Sequence, residues 1–270
     1  MDSLSRKIGC IGTGNMGGAI LSRLAARCDP ALLSAYDSDG AKHLHLSREH
    51  GIRAAASPED LVESAEIIII AVKPDSVEKA LASIKGSLSP DRTIVSVAAG
   101  VSIARMEKSV GGKAKIIRVM PNTPVMVGEG MSVLSPNGNV DGETLLEAER
   151  IFSVLGRVLV LPERLMDAVT GLSGSGPAYV FTFIEALADG GVRLGIPREK
   201  ALILAAQTVM GSAKYLLESG DEPSALRGRV TTPGGTTIEG LYLLERSGFA
   251  GIVMEAVERA AKKSREMGDA

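Results

Sequence analysis

Up to about residue 160 the chain alternates short apolar runs with longer stretches whose apolar positions recur at helical spacing. The runs predict strands at residues 7–11, 32–36, 52–54, 67–71, 93–97, 116–120, 131–134 and 157–160. Between most of them the pattern predicts helices, for example over 16–27, 39–49 and 77–86. Such β/α alternation belongs to a mostly parallel sheet covered by helices on both faces. The run Ile67-Ile68-Ile69-Ile70-Ala71-Val72 has no polar alternation, so it suits a central strand buried on both sides.

Past Leu161-Pro162 the pattern changes, and no convincing strand follows. Helices are expected over 177–194, 197–219, 236–247 and 249–267, with Gly195 as a stop signal and Pro197 as an opening one. The helix from Pro177 is apolar on nearly every side: Ala178, Tyr179, Val180, Phe181, Phe183, Ile184, Ala186, Leu187 and Ala188 all lie on it. A helix of this kind must be buried all round, inside a domain or between subunits. A helical half of only about 100 residues is expected to complete its core by homodimerisation. The chain therefore divides into an α/β domain, 1–162, and an all-helical dimerisation domain, 163–270.

Composition narrows the possibilities. Hydrophobic residues make up 45% and charged residues 23%, the balance of a folded soluble protein. Lys and Arg total 30 against 32 acids, mixed along the chain, so neither nucleic acid nor an anionic membrane is expected as partner. The polar start from Met1 to Lys7 runs straight into an apolar strand, which argues against a secretory leader. The longest apolar runs fall far short of the roughly 20 residues that span a bilayer. A cytoplasmic location is expected.

Cys10 and Cys28 are too few and wrongly spaced for a zinc site, and Cys10 reads as a small buried hydrophobe. The three histidines, His43, His45 and His50, read as a solvated helix face, and no metal site is expected. From Gly51 onward there is no histidine, which excludes His-based catalysis there.

The most informative local feature is Gly9-Cys10-Ile11-Gly12-Thr13-Gly14-Asn15-Met16-Gly17. It carries G-x-G-x-x-G at Gly12, Gly14 and Gly17 between a predicted strand and a predicted helix. Gly12 permits the tight turn, Gly14 lets backbone approach a pyrophosphate, and Gly17 allows close helix-to-strand packing. The pyrophosphate then rests on the helix N-terminus, beside Asn15 and Met16. This is a dinucleotide-binding, Rossmann-like signature. Asp37 ends the second predicted strand, where an acid bonds the ribose 2′-hydroxyl of NADH and repels the 2′-phosphate of NADPH; alternatively, it caps the next helix beside Ser38. Ala71-Val72-Lys73-Pro74 and Val97-Ala98-Ala99-Gly100 end two further strands, at the edge where cofactors lie. Lys73 reads equally as a cofactor contact or a surface charge.

Two Gly-rich segments mark the helical half: 171–179 (GLSGSGPAY) and 230–239 (VTTPGGTTIE). In the second, Thr236 and Glu239 have the T-x-x-E spacing of a capping box. One reading is a well-capped helix. The other is that Pro233-Gly234-Gly235 leaves backbone N–H groups free to cradle a small carboxylate.

Taken together, Ile11 to Gly17, Ala71 to Pro74, Ser96 to Val101, Met120-Pro121-Asn122-Thr123-Pro124, Gly171 to Tyr179 and Thr231 to Glu239 resemble the pyrroline-5-carboxylate reductase family over essentially the whole length. The resemblance implies a Rossmann-like N-terminal domain with a mostly parallel sheet and an all-helical C-terminal dimerisation domain that interlocks with a second subunit. It also implies reduction of 1-pyrroline-5-carboxylate to L-proline, with NADPH or NADH as cofactor, in a homodimer or a larger ring of dimers. Matching positions assign the substrate carboxylate to the backbone amides of Thr236 and Thr237, and the imine nitrogen to the Thr237 hydroxyl, the catalytic group; Gly234 and Gly235, just before them, are expected to be substrate-binding too. Ser175 and Thr232 match residues that line the substrate pocket, and Pro121 and Asn122 match a loop beside the nicotinamide. Asp37 stands where many NADPH users carry an uncharged group, which leaves the cofactor preference open, and Pro58 replaces an Asn of some members.

A protonated imine carbon is already electrophilic, so positioning and electrostatics can do most of the work. The absence of Lys between Glu163 and Glu199 fits this. It also counts against a 3-hydroxyacid dehydrogenase, which needs a base for an alcohol. A non-catalytic nucleotide sensor would be expected to lose the Pro233–Thr237 segment, which is intact here. A serine hydrolase is excluded at Ser173 and Ser175, because the G-x-S-x-G spacing is incomplete and no downstream His exists.

Overall fold

The four consecutive isoleucines, Ile67–Ile70, form a strand with no exposed residue, one of the two central strands of an eight-stranded sheet. The computed structural model describes Leu4 and residues 6–269; Met1, Asp2, Ser3 and Ser5 of the polar start, and Ala270, lie outside the described residues. The strands are β1 (Ile8–Ile11), β2 (Leu33–Tyr36), β3 (Arg53–Ala54), β4 (Ile67–Ile70), β5 (Thr93–Ser96), β6 (Lys115–Pro121), β7 (Gly130–Pro136) and β8 (Gly156–Val160). All eight expected strands are present. Their order is β3-β2-β1-β4-β5-β6-β7-β8. Pairing is parallel from β3 through β6, antiparallel between β6 and β7, and parallel again between β7 and β8. The chain turns outward from β1 to β2 and then crosses back to β4 on the other side. That reversal opens a crevice at the carboxyl ends of β1 and β4.

The helices of this part are α1 (Asn15–Ala25), α2 (Gly40–His50), α3 (Pro58–Ser64), α4 (Val77–Ile84), α5 (Ile103–Val110), α6 (Gly142–Ser153) and α7 (Met166–Val169). They divide between the two faces of the sheet, and alternate strand residues decide which face meets which helices. Ile67 and Ile69 pack with Leu21 and Leu24 of α1 and Phe152 of α6, whereas Ile68 and Ile70 pack with Leu61 of α3, Leu81 of α4 and Met106 of α5. Each such fully buried aliphatic side chain contributes about 1.5–3 kcal/mol, which explains why these strands need no polar face.

α7 continues into a π-helical turn, Thr170–Gly174. Its widened ring is closed by the Ser175 N–H donating to the Thr170 carbonyl at 2.8 Å. Such turns are frequent at functional sites.

The remaining helices are α8 (Gly176–Arg193), α9 (Arg198–Ser219), α10 (Pro223–Arg229), α11 (Thr236–Arg246) and α12 (Phe249–Asp269). By compactness the chain forms two units: one runs to Ser175 and takes in the C-terminal end from Arg259, and the other is Gly176–Glu258. In the helical unit α8 and α9 pack through small residues, Ala188 against Ala201 and Ala205, flanked by Ile184 and Ile196. Arg198 bonds Asp189 across the same pair. Little else of α8 is covered within the chain: Phe181 is 64% and Val192 40% exposed. A helix predicted to be buried all round is thus bare in the single chain, and contiguous apolar surface of this kind marks an interface. No helix among the described residues is long and apolar enough to cross a membrane.

Candidate functional site

The Gly-rich turn is built as its spacing requires. Gly12 has φ +95°, and a Cβ there would lie 2.6 Å from the Ala71 carbonyl oxygen. At Gly17 a Cβ would lie 2.0 Å from the Gly12 carbonyl oxygen, so α1 can approach β1 only with glycine in place. Around Gly14 no atom lies within 4 Å of an added Cβ. Two glycines therefore serve close packing, and the third faces open space. Gly14 is also the N-cap of α1, and no side chain caps that end. The first N–H groups of α1, at Asn15, Met16 and Gly17, are left for an anion.

Beside this turn lies a cleft of about 340 Å³ lined by Gly12, Asp37, Ser38, Pro58, Val72 and Lys79, among others. It brings together Gly12, Asp37 and Val72 of the residues expected to hold a dinucleotide. Lys73 stands exposed at the start of the turn after β4, with Pro74 opening the next short helix. Beyond β5, Val97 and Ala98 are buried on opposite faces of the sheet, and Ala99 is half-buried.

Asp37 does not cap α2. That position belongs to Asp39, whose carboxylate accepts from the Ala41 N–H at 3.2 Å. Asp37 Oδ2 instead accepts from the Thr13 amide at 2.7 Å and the Thr13 hydroxyl at 3.2 Å, and Oδ1 accepts from the Asp39 amide at 2.9 Å. Partial burial would raise its pKa, but the Thr13 amide, the Asp39 amide, the Thr13 hydroxyl and nearby Lys42 outweigh burial and hold it below the usual value. Asp37 is ionised at neutral pH.

His43 departs from expectation. Rather than facing solvent, it is 8% exposed, stacks on Tyr36 and accepts the Asp37 N–H on Nδ1 at 3.2 Å. Pattern alone could not assign it, because α2 is short and mostly polar. Thr13 was missed too. Its only signal was a hydroxyl between two motif glycines.

Asn122, just past β6, bridges the π-helical turn and the sheet. Its Nδ2 donates to the Ser173 carbonyl at 3.2 Å and the Ser173 hydroxyl at 3.3 Å, while Oδ1 accepts from the Met131 N–H at 2.8 Å. Asn122 thus pins the π-helical turn that ends at Ser175, with Pro121 buried beside it as the last residue of β6.

In the helical unit the expected capping box does not form. Gly235 is the N-cap of α11, Thr236 is the first helical residue, and no side chain caps the end. The box would need Thr236 one position earlier. Gly234 holds φ +68°, and a Cβ on Gly235 would lie 2.3 Å from the Thr232 hydroxyl. The Pro233-Gly234-Gly235 turn thereby places Thr232 against the helix start and leaves the first N–H groups, including those of Thr236 and Thr237, without a side-chain partner.

Comparison with known proteins agrees with this construction. Residues 163–267 match the family model for pyrroline-5-carboxylate reductase dimerisation. Residues 7–100 match that for NADP oxidoreductase coenzyme F420-dependent proteins. The pyrroline-5-carboxylate reductase of Escherichia coli is 44% identical over 266 residues, 98% of this chain and 99% of that one. The chain belongs to the pyrroline-5-carboxylate reductase family. The Synechocystis pyrroline-5-carboxylate reductase is 43% identical over 98% of this chain and 99% of its own. A solved pyrroline carboxylate reductase of Plasmodium falciparum with NADP bound superposes with a TM-score of 0.88, at 36% identity over 98% of this chain and 99% of that one. As in other pyrroline-5-carboxylate reductases, an NADP-type α/β sheet is followed by an all-helical region, and the dimerisation match accounts for the bare apolar surface of α8 by self-association.

Proposed function

We propose that this chain reduces 1-pyrroline-5-carboxylate to L-proline with NAD(P)H, the last step of proline biosynthesis, using the roles that follow. The observation that carries the site assignment is the uncapped start of α11 behind Pro233-Gly234-Gly235. Backbone N–H groups at Thr236 and Thr237 hold the substrate carboxylate; the Gly235 N–H is taken by the Thr232 carbonyl at 3.0 Å, so Gly234 and Gly235 shape the turn, with the Thr232 hydroxyl beside it. The helix dipole adds to this hold without a fixed cation. The Thr237 hydroxyl steadies the ring nitrogen as the protonated imine becomes an amine. The family pattern assigns Ser175, at the end of the π-helical turn, to the substrate as well. When bound, the nicotinamide supplies the hydride that the imine carbon receives.

The α/β unit holds the cofactor: Gly12, Gly14, Asn15, Met16 and Gly17 against the pyrophosphate, and Asp37 against the adenosine ribose. Ala71, Val72, Lys73, Pro74, Val97, Ala98, Ala99, Pro121 and Asn122 border it further along. A protonated imine needs no protein base to generate its electrophile. Catalysis therefore rests on orientation and on stabilising charge at the nitrogen, and a site without histidine suffices. The helical unit assembles as a homodimer or a ring of dimers, and the protein works in the cytoplasm.

Initial-rate reduction of 1-pyrroline-5-carboxylate, followed by loss of nicotinamide absorbance with each cofactor in parallel, tests the assignment. Turnover to proline is expected, and binding of cofactor with no imine reduction would overturn it.

A further inference from the structure

The cleft beside the Gly-rich turn contains a carboxylate that cannot move aside. Three protein donors hold Asp37: the Thr13 amide at 2.7 Å, the Thr13 hydroxyl at 3.2 Å and the Asp39 amide at 2.9 Å. Its own N–H is held in turn by His43 Nδ1. A carboxylate offers about four lone-pair sites. Both on Oδ2 are taken by Thr13, and one on Oδ1 is taken by Asp39. The remaining Oδ1 site can accept one hydrogen bond, which a ribose hydroxyl can donate and a phosphate dianion cannot. The nearby cations do not reverse this. Lys42 lies 3.7 Å from Asp39, and Lys79 lies on the exposed wall of the cleft.

We propose that Asp37 makes this chain select NADH over NADPH, and that Thr13 is the positioning residue that keeps the carboxylate where it excludes a 2′-phosphate. The inference rests on the cofactor roles proposed above, and goes beyond them by naming the member of the pair. One unit of like charge about 4 Å away in water-like surroundings weakens binding roughly fivefold. A 2′-phosphate with about 1.5 to 2 charges should therefore lose at least about tenfold.

Isothermal titration calorimetry of the full-length protein with NADH and with NADPH tests this. Wild type should bind NADH at least about tenfold more tightly. Asp37→Ser should close or reverse that ratio, and Asp37→Asn, which keeps the shape and removes the charge, should do so if the serine variant folds poorly. Thr13→Val should narrow the ratio by a few-fold, and Thr13→Ser should restore it; a purely structural role for Thr13 would weaken both cofactors equally. Comparable binding of the two cofactors by wild type, a preference for NADPH, or a ratio unmoved by either Asp37 substitution would overturn the selectivity while leaving the reductase assignment standing. Failure of folded wild type to bind either cofactor would overturn the cofactor site itself.

Discussion

The Asn122 side chain fastens Ser173 to the sheet, donating from Nδ2 to both its carbonyl and its hydroxyl while Oδ1 accepts the Met131 N–H. One side chain thus couples the end of β6, the start of β7 and the π-helical turn. Asn122→Ala would strand the half-buried Met131 N–H and free the turn. The expected loss is about 1–3 kcal/mol of stability and roughly 10- to 100-fold in kcat/KM, since Ser175 follows directly and small misplacements are costly in catalysis. Thermal melting and steady-state rates check this; a variant as stable and active as its parent would mean that the bridge holds nothing in place.

The glycines of the turn should separate cleanly under substitution. Gly17→Ala drives a Cβ into the Gly12 carbonyl and must displace α1 or the turn, so it should lose both stability and cofactor affinity. Gly14→Ala meets no protein atom, and its φ of −68° suits any residue. Its melting temperature should change little, at a cost of about 1 kcal/mol or less, while its nicotinamide affinity falls because the methyl group occupies ligand space. Equal effects on folding from the two substitutions would contradict the division of roles between these glycines.

How far the sequence carried depends on where each signal lives. The inner strands could be read because buried strands must be apolar, and Ile67–Ile70 leave no other choice; the edge strands β3 and β8 are largely exposed and were legible only as short apolar runs. The helices α8, α9, α11 and α12 were legible from long apolar patterns with Gly and Pro at their ends. Short α10 was not expected as an element. The π-helical turn has no signature in spacing, since it depends on the widened ring closed at Thr170 and Ser175. The T-x-x-E at Thr236 misled because Gly235 takes the cap position, so the same residues that suggested a capped helix leave its start uncapped. The bonds from Thr13 to Asp37 and from Asn122 to Ser173 join residues far apart in the chain. No local pattern could have announced them.

Cys10 gives a pH-dependent test of the core. It is fully buried, and desolvation first, then the charge of Asp37, pushes its thiol from 9.0 up to about 12. Between those values the unfolded chain has released this proton and the folded one has kept it. The folded state thus loses stability as pH rises through that window, by on the order of 4 kcal/mol across the whole of it. Below pH 9 the contribution is fully present. Denaturation profiles of wild type and Cys10→Ala should therefore converge as pH rises from 9 toward 11. Parallel profiles would show that the thiol titrates normally.

The bare apolar surface of α8 makes a strong prediction about assembly. Phe181 is 64% exposed within the chain, and the dimerisation match spans the helix. Phe181→Glu would place an unpaired charge in a buried interface, which costs several kcal/mol. The variant should run as a monomer in light-scattering chromatography and melt well below wild type. An unchanged oligomer would place Phe181 outside the contact.

Thr237 isolates the chemical step from the binding of the carboxylate. Its amide is part of the α11 start and survives any side-chain change except proline, so Thr237→Ala keeps the cradle and removes only the hydroxyl. If that hydroxyl steadies the nitrogen in the transition state, kcat/KM should fall roughly 100-fold. The loss should appear mainly in kcat, because the carboxylate still binds through backbone N–H groups. Thr237→Ser, which restores a donor at the same position, should recover most of the rate. A pattern confined to KM would make the residue a binding contact only, and unchanged kinetics would remove it from the mechanism.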